Sequence, residues 1–582
     1  MKIVLVDVAA KYIHTGLAVR YLYQCCVNTF KNTVILEKTI NEPLDTILAD
    51  IYREKPQVVG FSCYIWNITT ILPVCKTLKE IMPSVKIVLG GPEVSFDSQN
   101  VLQENIAIDF VISGEGEGTL PKLLAAIQNN NNYADIKGLS YRDKKNIIDN
   151  SSYECLDLAT LPITYDEKTL KDTKHRIIYY ECSRGCPYRC AYCLSGLAGK
   201  VRFLPMERIK KELYYLAVKK QVKQIKFVDR TFNHNKQFTI EIFEYLKKLP
   251  GDTNFHFEIR ADLLDEEVIE VLKDLPHGKF QFEIGVQSTN KETLVAINRP
   301  HNWKKIIDNV RAVKSLGTIH QHLDLIAGLP HENYNCFVKS FNDVYILQPE
   351  MLQLGFLKLI KGSKLWQNRA NFGFKFRHYP PYEVLSTKWI SYDEMLKLKD
   401  IEAVLELYYN SGNFVNTINY VVNVNKGFSF YESLAKWFRV NDLFTKKHSL
   451  EALFELLFNY LKECSDKQQH IYVALLKLDF LSHFMHRKLP KYLEHVEVNN
   501  YKLWVYNILK KPEVLNLLPQ HQRDLQARQI IKFTHFEVFN INPLKTNDKL
   551  ALPKKTVLMF YYNHVNKNWH SRKARVFDIS NV

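Results

Sequence analysis

The chain has 582 residues, 46% of them hydrophobic, enough for about three or four domains of roughly 150 residues each with ordinary buried cores. Its 11 cysteines stand singly except at Cys25-Cys26 and in one cluster, which argues against an extracellular disulfide framework, and no apolar run is long enough to span a bilayer; the expected setting is a reducing cytoplasm with no membrane span. The formal charge is +16, yet much of the Lys and Arg falls on solvent faces of amphipathic stretches such as Glu207-Arg208-Ile209-Lys210-Lys211-Glu212-Leu213, so nucleic-acid binding is a disfavoured reading of the charge.

Residues 1–128 read as a first domain. Apolar runs at Ile3–Val6, Val34–Glu37, Val58–Phe61, Ile87–Leu89 and Phe110–Ile112 alternate with amphipathic stretches at Thr15–Phe30, Pro43–Glu54, Trp66–Ile81 and Gly118–Ile127. That rhythm predicts a doubly wound parallel sheet with its ligand site at the carboxyl ends of the strands. The loops there are Ser62-Cys63-Tyr64-Ile65-Trp66-Asn67, Gly90-Gly91-Pro92-Glu93 and Gly114-Glu115-Gly116-Glu117-Gly118. The first strand runs into Val8-Ala9-Ala10-Lys11-Tyr12-Ile13-His14 rather than a Gly-rich turn, which argues against a dinucleotide-binding unit. The polar run Gln128–Asn132 ends this domain, and residues 129–174, with short strand-like pieces and Leu161-Pro162, read as a linker wrapping between domains, without catalytic signals.

Next comes the most informative stretch, Glu181-Cys182-Ser183-Arg184-Gly185-Cys186-Pro187-Tyr188-Arg189-Cys190-Ala191-Tyr192-Cys193. Cys186, Cys190 and Cys193 place three thiolates close together with no obvious fourth. A [4Fe–4S] cube held by three thiolates keeps one iron open for a chelating ligand. A zinc site would want a fourth Cys or His, for which Cys182 and His175 are the nearest candidates. Tyr192 completes a Cys-x-x-x-Cys-x-aromatic-Cys pattern, and here the chain resembles the radical S-adenosylmethionine (SAM) enzymes. The resemblance implies that SAM chelates the open iron and is cleaved to a 5′-deoxyadenosyl radical that abstracts a hydrogen from an unreactive carbon. It also implies an external electron donor such as flavodoxin or ferredoxin.

From 175 to 365, strand candidates at Arg176–Glu181, Gln224–Val228, Phe255–Ile259, Phe280–Gly285, His322–Ile326 and Leu352–Phe356 alternate with helices such as Met206–Lys219, Asn235–Leu246, Glu266–Lys273 and Trp303–Ser315. Six such units fit the partial (βα)6 TIM-type barrel of the radical SAM core. Functional residues should follow the strand ends. The segments there, Asp229-Arg230-Thr231-Phe232-Asn233, Arg260-Ala261-Asp262, Glu283-Ile284-Gly285-Val286-Gln287-Ser288 and Asp324-Leu325-Ile326-Ala327-Gly328-Leu329-Pro330, include the family's post-cluster type. The resemblance implies Glu258, Arg260, Glu283, Gly285, Gln287, Gly328 and Asp229 around SAM, against the alternative of a polar network closing the barrel. In place of a Gly-Gly-Glu segment after the second strand stands Val228-Asp229-Arg230, which looks like the cobalamin-dependent branch.

The N-terminal segment in turn resembles the cobalamin-binding domains fused ahead of such barrels. This implies cobalamin, with His14, Gly16, Ser62, Gly90, Gly91, Glu93, Gly114, Glu115 and Gly116 as its candidate contacts. The Asp-x-His-x-x-Gly signature is absent, so the cobalt is expected without a protein histidine, and His14 reads first as a capping or core residue. Residues 366–582 read as a mainly helical domain of unknown role, with helices at Leu450–Cys464 and Gln469–His486 and β-like runs at Gln529–Val538 and Lys555–Tyr562. Trp389, Trp437, Trp504 and Trp569 read as core before they read as stacking platforms.

The overall expectation is an α/β protein, with an N-terminal doubly wound sheet, a partial barrel and a helical C-terminal domain. The function it implies is cobalamin-dependent radical SAM methylation of an unactivated carbon. The alternatives are cyclisation, oxidation or rearrangement with the same cofactors, or a non-catalytic cobalamin or redox sensor.

Overall fold

The computed structural model describes residues 1–144, 146–150, 155–197, 199–425, 427–464, 468–485, 488–493, 496–545, 553–562 and 573–581; Trp569 and His486 lie outside them. The chain divides into two compact units, Met1–Ser340 with Gln353–Met395, and Phe341–Leu352 with Leu396–Val582. Among the described residues no helix is long and apolar enough to cross a membrane.

The first unit opens with a seven-stranded sheet ordered Thr33–Thr39, Ile3–Ala9, Val58–Ser62, Lys86–Gly90, Phe110–Ile112, Leu139–Asp143, Asn146–Asp149. The first five strands are parallel, the doubly wound order that leaves a ligand crevice at the carboxyl edge. The last two are antiparallel and extend the sheet. They fall within residues 129–174, where the sequence reading has a linker. The correction has a physical cause: Leu139 and Ser140 are wholly buried and Tyr141 nearly so, so this stretch contributes to the core.

The second sheet is the partial barrel, with strands in the spatial order Ile178–Tyr180, Gln224–Phe227, Asn254–Ile259, Phe280–Gln287, His320–Ala327 and Met351–Phe356. The pairings are parallel through His320–Ala327. Alternate residues face the surrounding helices, and here they are aromatic: Phe227, Phe255, Phe257, Phe280 and Phe282 are fully buried, the last three against Phe243 and Phe227 against Phe255 and Phe257. Phe227 and Phe257 stack at 4.6 Å, and each such side chain contributes about 1.5–3 kcal/mol by burial. The predicted helix Met206–Lys219 is α-helical to Tyr214 and closes in a π turn over Tyr215–Lys219.

Two corrections concern the boundary placed at 365. Residues 366–395, including the short antiparallel pair Lys375–Phe376 and Val384–Ser386, pack with the barrel unit. Phe341–Leu352 belongs instead to the second unit. That unit is mainly helical but ends in a three-stranded antiparallel sheet, Thr534–Ile541, Pro553–Tyr561 and Arg575–Asp578. Trp437 and Trp504 are half-buried, Trp437 against Tyr460 and Trp504 against Tyr501 and Phe536.

Within the first unit the doubly wound sheet is locked to the barrel by charge. Arg20, 2% exposed, donates to both Glu37 oxygens at 2.7 and 2.9 Å and to Thr169 O at 3.0 Å. Arg176, just ahead of the first barrel strand, donates to Glu37 Oε2 at 2.6 Å and to Tyr12 O at 2.8 Å. Burial favours the neutral acid, but Arg20, the Gly16 N–H and Arg176 outweigh it and hold the Glu37 carboxyl below its usual range. Glu37→Ala would leave two buried guanidiniums unpaired. We expect it to destabilise the protein by about 3 kcal/mol in urea unfolding; an unchanged midpoint would mean the lock carries no net stability.

Candidate active site at the barrel mouth

The cysteine loop leaves the first barrel strand and is pinned at many points. Gly185 turns it with φ +109°, and a Cβ there would lie 3.1 Å from Lys200 O. The Cys193 N–H donates to Cys190 O at 3.1 Å. Ala191 ties the loop to neighbouring turns, its N–H donating to Ile297 O at 2.8 Å and its carbonyl accepting from Leu365 N at 2.9 Å. Cys186 Sγ lies 3.6 Å from Thr231 Oγ1, Cys190 Sγ accepts from Arg299 Nη1 at 3.5 Å, and Cys193 Sγ accepts from Ser195 N at 3.4 Å. Among the described residues no three His, Cys, Asp or Glu side chains form a grouping that would hold a single metal ion. Arg299 and Ser195 thus direct N–H donors at two of the three sulfurs, as donors around a cluster thiolate would be placed.

Two of the residues assigned to SAM instead brace this loop. Asp229 accepts from Cys182 N at 3.0 Å and from the Ser183 hydroxyl, and burial pushes its carboxyl up to about 7 against those hydrogen bonds. Arg260 makes a bidentate pair with Asp262 at 3.0 and 2.7 Å and covers the Tyr188 ring at 4.2 Å. Their carboxylate and guanidinium are thus already engaged.

Gly285 and Gln287 lie together at the end of the fourth strand, and Gly328 follows the fifth with φ +87°, its Cβ position facing Met395, Val384 and Leu357. Gln287 takes φ +70° at a register shift, a left-handed conformation that costs a non-glycine residue energy and clusters at functional sites. Its amide folds beneath Gly285, where a Cβ would meet Gln287 Nε2 at 2.2 Å. Arg299 donates to Gly285 O at 2.7 Å. Gln287 Oε1, Arg299 Nε and His301 Nδ1 are buried without hydrogen-bond partners, leaving polar atoms beside the cysteine loop for a polar cofactor. Glu258 and Glu283 point into the barrel: Glu258 lies 3.4 Å from Arg230, and Glu283 is 2.8 Å from Lys226 Nζ and 3.0 Å from His256 Nε2.

The cobalamin candidates divide in the same way. A cavity of about 650 Å³ at the sheet's carboxyl edge is lined by Gly91, Ser95, Asp97, Ser113 and Gly114, and by Leu194 from the cysteine loop. Gly91 has φ +110°, and a Cβ there would come within 2.5 Å of Cys63 O. This small-residue slot fits a nucleotide-like tail. Ser62 instead donates to Asp7 at 2.9 Å, and burial pushes the Asp7 carboxyl up to about 6 despite that bond. Gly16 packs on Asp7, while Gly116 packs on Leu22 and Gly90 near Ile112. Glu93 accepts from Tyr382, and Glu115 pairs with Arg202 and Arg184; both carboxylates tie the sheet to the barrel. His14 Nδ1 is 2.8 Å from Tyr179 OH.

Arg299 escaped the sequence reading, its only local signal being an Arg-Pro pair following a helix. So did Lys226, His256 and His322, although polar residues alternating with Phe along Asn254–Ile259 and Phe280–Gln287 announce an inward polar face.

Residues 3–124 match the B12 binding domain, residues 180–344 the radical SAM superfamily, and residues 370–560 a protein of unknown function, DUF4080. An uncharacterized methyltransferase of Pyrococcus horikoshii, PH0819, is 26% identical over 360 residues, covering 60% of this chain and 78% of its own. The cobalamin-dependent radical SAM methyltransferase TokK of Streptomyces tokunonensis is 27% identical over 338 residues, covering 54% of this chain and 47% of that protein. Two solved structures share the fold at 14% identity. One is the cobalamin-dependent SAM radical enzyme OxsB with aqua-cobalamin bound, with a TM-score of 0.59 over 82% of this chain and 84% of that one. The other is the radical SAM methyltransferase TsrM of Kitasatospora setae with cobalamin and a [4Fe–4S] cluster bound, with a TM-score of 0.55 over 66% and 79%.

Fold and matched models together define a radical SAM enzyme. Residues 3–124 and 180–344 place a B12-binding domain ahead of a radical SAM domain; among the solved structures that share the fold, OxsB holds aqua-cobalamin with SAM and TsrM holds cobalamin with a [4Fe–4S] cluster.

The turn after the fifth strand meets the Gln287 strand end through Glu332, which accepts from Ser288 Oγ at 2.6 Å and Ser340 Oγ at 2.9 Å. Burial pushes the Glu332 carboxyl up to about 7 from 4.5 against those hydrogen bonds. The folded state therefore holds a proton that the unfolded chain releases. This group's stability is fully present below about pH 4.5 and is lost as pH rises through about 7. Glu332→Gln stays neutral throughout, so its stability relative to the wild type should improve between about pH 5 and about pH 8 by on the order of 1 kcal/mol or more. Parallel pH profiles for the two proteins would contradict this.

Proposed function

We propose that this protein is a cobalamin-dependent radical SAM methyltransferase acting on an unactivated carbon, with Cys186, Cys190 and Cys193 holding a [4Fe–4S] cluster. The observation that carries this reading is Leu194. It directly follows the last cluster cysteine and stands in the wall of the small-residue cavity of the N-terminal sheet, so cluster loop and corrinoid slot share a boundary. When bound, the three cofactors supply a radical able to remove hydrogen from carbon and a methyl group to replace it.

The chain's own residues hold and exclude. Asp229, Thr231 and Arg260 fix the cysteine loop, and Gly285, Gln287 and Gly328 form the surface against which SAM lies. Gly91, Ser113 and Gly114 line the corrinoid slot. Arg299, in contact with both Gly285 O and Cys190 Sγ, is a positioning residue that donates to a cluster thiolate. An external one-electron donor such as flavodoxin or ferredoxin would reduce the cluster, and a net charge of +16 suits a donor of opposite charge.

Anaerobically reconstituted protein given methyl-labelled SAM and a cell extract should release both 5′-deoxyadenosine and S-adenosylhomocysteine and pass label to a product. Cys190→Ala should lose the cluster absorbance and both releases. Deoxyadenosine without homocysteine or methylated product would point to cyclisation, oxidation or rearrangement, and no turnover above Cys190→Ala to a sensor. Arg299→Leu removes the donor to the Cys190 sulfur and is expected to lower the cluster's reduction potential in a redox titration followed by electron paramagnetic resonance. An unchanged potential would confine Arg299 to holding the loop.

A further inference from the structure

Barrel interiors are ordinarily filled by branched apolar side chains. Here the phenylalanines take the helix side, and the inward positions are polar layer upon layer. At the lower level Gln224 Nε2 donates to Asn254 Oδ1 at 3.0 Å. Above it Lys226, on the second strand, reaches Glu283, on the fourth, at 2.8 Å past the intervening strand. Such a contact spans the concave side of a curved sheet. His256 joins the same carboxylate at 3.0 Å, and on the next strand His322 lies 3.0 Å from Asp324. The N-terminal domain supplies part of the wall, with His14 on Tyr179 and a backbone bridge from His14 to Ile177.

These groups are not sealed in. The side chains of Lys226 and Glu283 are each 22% exposed, Glu258 21% and Asp324 19%, so solvent enters between them. A chamber with convergent charged and hydrogen-bonding groups selects ligands that replace its water. An apolar ligand would strip water from Lys226, Glu283, His322 and Asp324 and return no hydrogen bonds, a large penalty.

We propose that this chamber is the substrate site and that the substrate is a small water-soluble compound bearing ionised or several hydrogen-bonding groups, not a lipid or an apolar ring system. The inference rests on the activity proposed above and goes further by naming the substrate class. Lys226–Glu283–His256 and His322–Asp324 are its recognition groups.

The test uses anaerobic holoenzyme with SAM and reductant, given either the aqueous or the organic phase of one solvent-partitioned extract of the cells that make the protein. Released deoxyadenosine and S-adenosylhomocysteine are measured beside a control without extract. The aqueous phase should stimulate both. Lys226→Met should need about tenfold more aqueous extract for half-maximal stimulation, the loss of roughly one charge-assisted hydrogen bond. His322→Gln is a second variant, should Lys226→Met leave Glu283 uncompensated and misfold. Cluster and corrinoid absorbance report folding in each sample. Stimulation by the organic phase alone, stimulation by neither phase while the extract-free control cleaves SAM, or a wild-type response in both folded variants would each overturn the substrate class. Absence of any SAM cleavage by fully clustered wild-type protein would instead overturn the activity reading itself.

Discussion

The carboxylate of Glu37 stands between two buried guanidiniums, one from each side of the junction between the doubly wound sheet and the barrel. Three buried charges are tolerable only because each answers another, and the answering is directional. Arg20 holds Glu37 with two hydrogen bonds and gives two further donors to Gly16 O and Thr169 O. Arg176 adds Tyr12 O. The whole loop after the first strand, including His14 and Thr15, is thereby fixed against the start of the first barrel strand. Further along the same seam, Arg184 joins Glu117 and Glu181, Arg202 joins Glu115, and Lys361 joins Asp97. The sheet-edge cavity and the cysteine loop are therefore held together by ion pairs, not by a flexible tether.

Inside the barrel a second constraint operates. The outward aromatic stripe buries its surface against the helices and determines the register of each strand, because a slip of one residue would exchange Phe257 with Glu258. With register fixed this way, the inward residues are relieved of packing duty. Lys226, His256, Glu283 and His322 occupy positions that a conventional barrel gives to Val, Ile or Leu. Burial and pairing then act in opposite directions on them. Burial pushes the Glu258 and Asp324 carboxyls up, whereas His256 and Lys226 outweigh burial at Glu283 and hold it well below the carboxylate range.

Much of this was legible from residues alone. Every strand of both parallel sheets falls on a predicted β-rich run, because parallel strands announce themselves as short apolar segments between helices. The cysteine triplet, and the glycines at the strand ends and sheet edge, were likewise visible. What escaped was partnership. Asp229, Glu93 and Glu115 look like free functional groups in a motif, yet each is consumed by a neighbour distant in sequence: Cys182 for Asp229, Tyr382 for Glu93, Arg202 for Glu115. Arg260 is taken by Asp262 and Tyr188. Leu139–Asp143 and Asn146–Asp149 lie where the sequence shows short strand-like pieces, but nothing local says that they extend the first sheet, and the boundary near 365 was hidden because the segment to Met395 returns to the barrel.

The position of His14 has a consequence for anyone who would treat this protein as a set of exchangeable modules. Its backbone pairs with Ile177 and its ring meets Tyr179 inside the barrel, so the nominal front domain owns a piece of the reaction chamber. A chimera that grafts a foreign corrinoid module onto this barrel would cut through the Arg20–Glu37–Arg176 knot and discard that piece of wall. The structural unit here is the pair, and a new chemistry would have to be engineered across both halves at once.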